Sequence, residues 1–389
     1  MSDTAPARLL TPGQPAPFFH AAALDGNPSY AFETVAGRPV LMLLFGSTAQ
    51  ADCAAAIAQI LAHRHLFDDV KACFFGVTVD PADATSRRIR PEIPGIRYFL
   101  DYDRSVSRLF GASGEDKRQY LPHWLLLDRT LRVVQRFRLA DGEAAIAALQ
   151  AQIAEPSAPD WAPVLLVPRV FDSDLCEMLI AYHRERGDEE SGFMRDVDGK
   201  SRVLFNPRQK VRRDRMVEDE PLRLRIQGRI KEALLPMVER AFQFRATRME
   251  RYLIGCYRAE TGGHFSPHRD NTTKSTEHRR FAVTINLNSE DYDGGDLRFP
   301  EYGDRIYRAP TGGAVVFSCG LLHEATRMTR GVRLAFLPFL YDDEAAALRE
   351  RNNPYLGEEI MPYALQKAAG PDHSRSALTS ATDDNGDFE

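Results

Sequence analysis

HFSPHRDN, residues 264–271, sets a histidine and an aspartate two positions apart, with Pro267 before the pair and Asn271 after it. Residues two apart on a β-strand point to one face. The His268 imidazole and the Asp270 carboxylate can therefore grip one ion. With 10 histidines and 55 acidic residues in the chain, one such pair alone carries little weight. A second histidine adds to it: His323 lies in the apolar stretch GAVVFSCGLLHEAT, residues 313–326. Two imidazoles and one carboxylate form a ligand set that binds a first-row divalent metal and leaves coordination positions open.

Arg333 follows His323 by ten residues, beyond a turn at Thr329–Gly331. If that turn closes a hairpin centred on Arg330, Arg333 falls opposite Arg327, on the face of His323. The separation is then four residues, ~13 Å at ~3.3 Å each. The gap suits a short dicarboxylate held by metal at one end and by guanidinium at the other. A shift of one residue would turn Arg333 away.

Around these residues the chain is punctuated by glycine pairs at 262–263, 294–295 and 312–313, between the short runs RYLIGCY, RFAVTINLN, DLRFPEY, RIYRA, GAVVFSC and RLAFLPFL. Many short strands at regular spacing predict an antiparallel sandwich or barrel. Helices are expected from Ser173 to Arg186 and over about 220–241. The proline- and alanine-rich stretch AEPSAPDWAP, residues 154–163, reads as a linker. The polar end from 368 to 389 reads as disordered. N-terminal to the linker, Pro39–Gly46 and Cys73–Val79 read as buried strands with a helix over Ala51–Phe67 between them. Trp124–Leu127 and Leu131–Phe137 read as a hairpin. Strands alternating with helices predict an α/β layer.

The 389 residues suffice for two domains, and a net charge of −5 supplies no global attraction to nucleic acid or anionic membrane. The N-terminus shows no secretory pattern, and no apolar run is long enough to span a bilayer. Five scattered cysteines fit a reducing cytoplasm better than a disulfide scaffold.

Taken together, CYRAETGGHFSPHRDN (256–271), TINLNSEDYDGGDLRFPEYG (284–303), GGAVVFSCGLLHEATRMTRGVR (312–333) and LAFLPFLY (334–341) resemble a 2-oxoglutarate- and Fe(II)-dependent dioxygenase of the prolyl 4-hydroxylase type. The resemblance implies a mainly-β double-stranded β-helix (jelly-roll) domain with supporting helices over 164–345. By the same resemblance His268, Asp270 and His323 match the iron ligands. Arg333 matches the basic residue that pairs with the distal carboxylate of 2-oxoglutarate. Tyr257 matches a tyrosine lining the cosubstrate pocket, and Asn286 a position often occupied by tyrosine. The implied reaction couples O2 and oxidative decarboxylation of 2-oxoglutarate to succinate and CO2 with hydroxylation of a substrate C–H. The substrate is a small molecule or a peptidyl residue, and ascorbate is a candidate reductant.

Residues 1–153 resemble a peroxiredoxin, or more broadly an α/β thioredoxin-like domain. The resemblance rests on LLTPGQPAPFF, FFGVTVDPADA, YFLDYDRSVSRLFGA and LPHWLLLDRTLRVV. Pro122 stands where such folds place a cis-proline. In FGSTAQADCAAAIAQIL, residues 45–61, Cys53 enters the first turn of a helix, whose N-terminus favours thiolate. Gln50 occupies the position of the second redox cysteine, or of the peroxiredoxin threonine. Gly46 replaces a proline, and Pro122 falls where an active-site arginine is expected. A degenerate docking or assembly module is the reading these departures favour. A thiol peroxidase acting through Cys53, or a non-catalytic binding protein, are the competing functions. The basic stretch MRDVDGKSRVLFNPRQKVRRDRM, residues 194–216, reads either as a lid for an acidic substrate or as a solvated loop.

Overall fold

The computed structural model describes residues 9–114, 119–155, 160–365 and 385–387. They divide into two compact units, Met1–Asp160 with Pro300–Asp304, and Trp161–Phe299 with Arg305–Glu389.

In the first unit, β1 (His20–Ala23), β2 (Tyr30–Ala31), β3 (Val40–Gly46), β4 (Cys73–Thr78), β5 (Ile96–Leu100), β6 (His123–Leu127) and β7 (Val133–Arg138) form one sheet in the order β2-β1-β5-β4-β3-β6-β7. β3, β4 and β5 run parallel, and β6 and β7 form the antiparallel hairpin. VLMLLFG is buried along its whole length, as a strand covered on both faces must be. The helices are α1 (Ala51–Ala62), α2 (Pro81–Thr85), α3 (Ser105–Leu109) and α4 (Gly142–Ala154). α1 buries Cys53, Ala56, Ile57 and Ile60, a stripe at helical spacing, against Leu41, Leu43, Trp124 and the α4 residues Ala145, Ile146 and Leu149. This is the α/β thioredoxin-like architecture.

Details differ from the expectations. The helix over Ala51–Phe67 stops at Ala62, and a 3-10 turn, Arg64–Leu66, completes the segment. The cis peptide bond is Ile93–Pro94, and the bond before Pro122 is trans. Leu121 donates its N–H to Ala112 O at 2.7 Å as the chain enters β6. α4 runs to Ala154, and residues 156–159 of the segment read as a linker, 154–163, lie outside the described residues.

The second unit contains β8 (Leu165–Val167), α5 (Ser173–Arg186), β9 (Glu189–Glu190), β10 (Phe193–Val197), β11 (Lys200–Leu204), β12 (Lys210–Val211), β13 (Arg213–Met216), α6 (Glu220–Arg229) and α7 (Leu235–Phe242). There follow β14 (Arg248–Glu250), β15 (Leu253–Arg258), β16 (His264–His268), β17 (Phe281–Asn286), β18 (Leu297–Arg298), β19 (Ile306–Tyr307), β20 (Ala314–Ser318), β21 (His323–Ala325), β22 (Val332–Phe336), β23 (Phe339–Tyr341), α8 (Asp343–Arg351) and β24 (Asn385–Asp387). The larger sheet runs β24-β14-β23-β17-β22-β15-β13-β9, with β20 on β17 and β8 on β20, and the smaller runs β12-β16-β21-β18-β19. The helix expected over 220–241 is interrupted by a π-turn at Ile230–Leu234. Pro236 lacks the N–H that would continue the α-helical ladder there.

Side-chain alternation divides the larger sheet. Ile254, Cys256, Val283, Ile285, Leu334 and Phe336 pack with Leu175, Leu179, Ile226, Ile230 and Val238 of the helices. The opposite face carries the paired positions Tyr257↔Arg333, Gly255↔Ala335 and Asn286↔Ala335. On the smaller sheet the pairs Lys210↔Phe265, Phe265↔Ala325 and His268↔His323 share a face. Tyr257 packs with Phe265, Ala325, Tyr292 and Met328, so the two faces meet. Two sheets joined through a polar interior, with helices covering one of them, make the jelly-roll with supporting helices.

Three expectations are corrected here. His323 and Arg333 do not share a hairpin: β21 lies in the smaller sheet and β22 in the larger. The chain crosses between them through residues 326–331, tied down by Thr326 N to Asp296 O, 2.9 Å, and Met328 N to Gly263 O, 2.8 Å, with Gly331 at φ +72°. The basic stretch is no solvated loop: β10 and β11 form a hairpin, and Lys210 and Arg212 are each only 8% exposed. The C-terminal segment read as disordered lies mostly outside the described residues, but Asn385–Asp387 pair with Arg248–Glu250.

Phe336 is fully buried at the centre of this core, against Phe171 and Tyr252. Phe336→Ala is expected to lower unfolding stability by about 3–5 kcal/mol in chemical denaturation, the range for a large-to-small core change.

Candidate active site

His268 ends β16, and a β-bulge decides which way it points. Between the pairs Phe265↔Ala325 and His268↔His323, β16 advances three residues while β21 advances two. Without the extra residue, Phe265 and His268 would face opposite sides. Pro267, which has no N–H to pair, sits inside the irregular step. The imidazole Nδ1 lies 2.8 Å from Ser266 O, and Nδ1 of His323 lies 3.0 Å from Leu321 O. A carbonyl can only accept, so each Nδ1 carries the proton and each Nε2 keeps its lone pair. Both Nε2 atoms converge on Asp270, at 3.6 Å from Oδ1 for His268 and 3.3 Å from Oδ2 for His323. The Asp270 N–H donates to Cys319 O at 3.0 Å, which fixes the carboxylate between the histidines. The potential ligand atoms all lie within 4.8 Å of one another.

Burial pushes the His323 pKa down to about 4, and the neighbouring His268 adds to it. Burial alone would raise the Asp270 pKa, but His323, His268 and Arg279 outweigh it and hold the carboxyl well below its usual range. A neutral imidazole and an ionised carboxylate are the forms a metal needs. The rings of Phe317 and Phe299 stand 4.6 and 6.2 Å from that of His323 and shield it from water.

Arg333 is 2% exposed on the inner face of the larger sheet. Its Nη1 donates to Gly295 O at 2.6 Å, and its Nη2 lies 3.5 Å from Asn286 Oδ1. Its Nε has no hydrogen-bond partner among the described residues. The Tyr257 ring lies 5.1 Å from the guanidinium. Asn286 Nδ2 donates to Ala309 O at 2.9 Å, which turns its oxygen toward Arg333. Among the described residues no carboxylate pairs with Arg333. A buried charge served only by neutral oxygens is costly, and it is suited to an anion.

The residues that sequence reasoning missed lie beside this constellation. Lys210 Nζ donates to Ser191 Oγ and Gly192 O, both at 2.6 Å, and lies 4.9 Å from the centre of the Phe265 ring. Arg212 bonds Asp214 through Nε at 2.6 Å and Nη2 at 2.7 Å. The sequence offered them only as members of the basic stretch, and the chain passes from β12 of the smaller sheet to β13 of the larger at Arg212. A second cluster, His183, Asp188 and Cys256, has metal-ligand chemistry but a different use. Arg213 and Arg258 occupy the Asp188 carboxylate at 2.5 and 2.6 Å, and two guanidinium groups there oppose a cation.

Cys53 sits in the first turn of α1 as expected, yet its thiol does not follow the helix terminus. It is fully buried and donates to Phe45 O at 3.0 Å. Burial raises its pKa, Asp52 and Asp83 raise it further, and only the Ser47 N–H opposes them. Asp83 is held by Thr78 at 2.6 Å and by Thr48, so carboxylate stands near the sulfur where an activated thiolate needs a cation. Burial likewise pushes the Cys73 thiol up to about 12 and the Cys319 thiol well above its ordinary value.

Residues 252–341 match the family model described as the 2OG-Fe(II) oxygenase superfamily. The matched stretch contains His268, Asp270, His323 and Arg333. The chain is 30% identical over 149 residues to a PKHD-type hydroxylase of Synechococcus sp. (strain JA-2-3B'a(2-13)), covering 36% of this chain and 64% of that protein. It is 36% identical over 72 residues to a PKHD-type hydroxylase of Caulobacter sp. (strain K31), covering 18% of this chain and 32% of that protein. It thus spans less than two thirds of the length of these relatives. Among solved structures, a Pseudomonas putida prolyl-4-hydroxylase is similar at 16% identity and TM-score 0.37, covering 46% of this chain and 92% of that one. Xanthomonas campestris peroxiredoxin Q is similar at 19% identity and TM-score 0.30, covering 35% and 91%.

A raised thiol pKa keeps Cys53 protonated at neutral pH and yields thiolate only as pH rises beyond the ordinary thiol value of 9.0. Native Cys53 is expected to react with iodoacetamide about tenfold more slowly at pH 7 than an exposed model thiol, with the rate still climbing at pH 9. Mass spectrometry of the labelled peptide checks this.

Proposed function

We propose that the second unit is an Fe(II)- and 2-oxoglutarate-dependent dioxygenase that hydroxylates a C–H bond of a small molecule or peptidyl residue. The observation that carries this reading is Arg333, a guanidinium 2% exposed with no carboxylate partner among the described residues, in the interior that also holds the His268, Asp270 and His323 cluster. His268 and His323 would hold the iron through Nε2 and Asp270 through its carboxylate. Arg333 would pair with the distal carboxylate of 2-oxoglutarate, with the Asn286 oxygen and the Tyr257 ring fixing the guanidinium. When bound, Fe(II) supplies the redox chemistry that joins O2 to decarboxylation of 2-oxoglutarate and to hydroxylation.

The chain's own contribution is preorganisation. The carbonyls of Ser266 and Leu321 hold the Nδ1 protons, so the Nε2 atoms face inward before any ligand arrives. Phe299 and Phe317 keep water from His323.

The catalytic domain is assigned to 164–345, residues 154–163 to a linker, and 1–153 to a docking or assembly module. The environment of Cys53 argues against a thiol peroxidase. Ascorbate is proposed as an external reductant, and the cytoplasm as the site of action, in line with five free, buried cysteines. Among the described residues no helix is long and apolar enough to cross a membrane.

Anaerobically purified protein given Fe(II), 2-oxoglutarate and O2 should release succinate, and His268→Ala should not. Arg333→Ala should raise the KM for 2-oxoglutarate about 10- to 100-fold, since a charge-assisted contact contributes roughly 1.5–3 kcal/mol. If the wild-type chain binds neither iron nor 2-oxoglutarate in calorimetry, the assignment fails.

A further inference from the structure

We infer that Phe265 and Lys210 form a positioning pair that orients the His268 imidazole for metal. The inference rests on the reading of His268 as a ligand.

One hydrogen bond from Nδ1 to Ser266 O sets the tautomer of His268 but leaves the ring free to swing about that bond. Its plane needs a second constraint. The Phe265 ring provides it, stacked on the imidazole with centroids 3.4 Å apart and planes 19° from parallel. The two rings are three residues apart on β16, a spacing that brings side chains together only because of the bulge at Ser266–Pro267. The bulge therefore serves two purposes, aiming His268 inward and placing Phe265 beside it.

Phe265 is in turn held by Lys210, its direct cross-strand partner. The ammonium stands 4.9 Å from the Phe265 centroid, within cation–π range. Its two 2.6 Å bonds to Ser191 Oγ and Gly192 O fix it in place. Burying an ammonium at 8% exposure without a direct carboxylate is unfavourable for stability alone. Ser191 and Gly192 precede the β10–β11 hairpin and Lys210 follows it, so the lysine also clasps the base of that hairpin. A continuous chain of contacts runs from the hairpin base through Lys210 and Phe265 to His268.

The test uses the full chain with Co(II) as the probe metal, so that its readout does not depend on turnover. Co(II) affinity is measured by calorimetry and ligand geometry by the visible d–d spectrum, for wild type, Phe265→Leu, Phe265→Tyr, Lys210→Met and His268→Ala. Thermal unfolding of the metal-free proteins accompanies them. Phe265→Leu and Lys210→Met are expected to lose about tenfold in Co(II) affinity and to shift the spectrum, as loss of a ligand-orienting partner does. Phe265→Tyr, which keeps the flat ring, should retain both. If Phe265→Leu does not fold, Lys210→Met decides. Wild-type affinity and spectrum in the folded leucine and methionine variants, with binding lost in His268→Ala, would overturn the positioning role alone. Unchanged binding in His268→Ala would instead overturn the ligand reading beneath it.

Discussion

The second unit depends on one constraint: successive side chains on a strand face opposite ways. Along β15, β17 and β22 that alternation sends Ile254, Cys256, Val283, Ile285, Leu334 and Phe336 toward the helices. It sends Tyr257, Asn286 and Arg333 into the space between the sheets. The apolar half anchors the sheet by burial, and that burial holds the polar half in an interior it would not otherwise occupy. Moving β22 by one residue would put Arg333 among the helix-facing leucines, and the same slip in β15 or β17 would turn Tyr257 or Asn286 there. Core and site are thus the two faces of one register. The single place where alternation is broken, the bulge at Ser266–Pro267, is the place where a histidine and an aromatic ring must share a face.

How much of this could be read beforehand depended on how local each feature was. His268 and Asp270 were legible because only two positions separate them, although β16 ends at His268 and Asp270 lies in the turn that follows rather than on the strand. His323 was legible because a histidine in an apolar strand needs a reason. The structure brings all three together. Arg333 was singled out with the wrong geometry. A hairpin joining it to His323 would have been a local contact, whereas the chain crosses from one sheet to the other and the pairing partner is Tyr257, 76 positions away. Pairing across such separations leaves no trace in local pattern. Lys210 and Phe265 were not legible as a pair for the same reason, and the eight basic residues between 194 and 216 concealed the buried lysine among mostly exposed ones.

Cys53 shows the limit of reading electrostatics from helix position. The placement in the first turn of α1 was right, and a helix N-terminus does favour thiolate. That effect contributes about 0.3–1 kcal/mol in exposed settings. Complete burial and the nearby Asp52 and Asp83 act the other way, and together they prevail. The sequence places Asp83 thirty residues downstream. Only the packing of α2 against the β3–α1 loop, with Thr48 and Thr78 both bonded to Asp83, brings it to the thiol.

Charge balance in the interior adds a constraint on what the site accepts. Arg212 is matched by Asp214, and Arg279 by Glu250. The Lys210 ammonium is held by Ser191 Oγ, Gly192 O and the Phe265 ring, and beyond it stand Asp270, an anion among imidazoles, and Arg333, a cation among neutral oxygens. Each is uncompensated by direct contact with the other sign. A divalent metal at the histidines turns the surplus beside Asp270 from negative to positive by one unit, and Arg333 adds another. Two positive charges in a low-dielectric interior are neutralised by a dianion reaching both, whereas a monoanion would leave one of them exposed to the full desolvation cost. A dicarboxylate therefore fits this interior on charge as well as on hydrogen bonding. The metal and the dicarboxylate should bind synergistically, because each removes the charge that makes the other's binding incomplete.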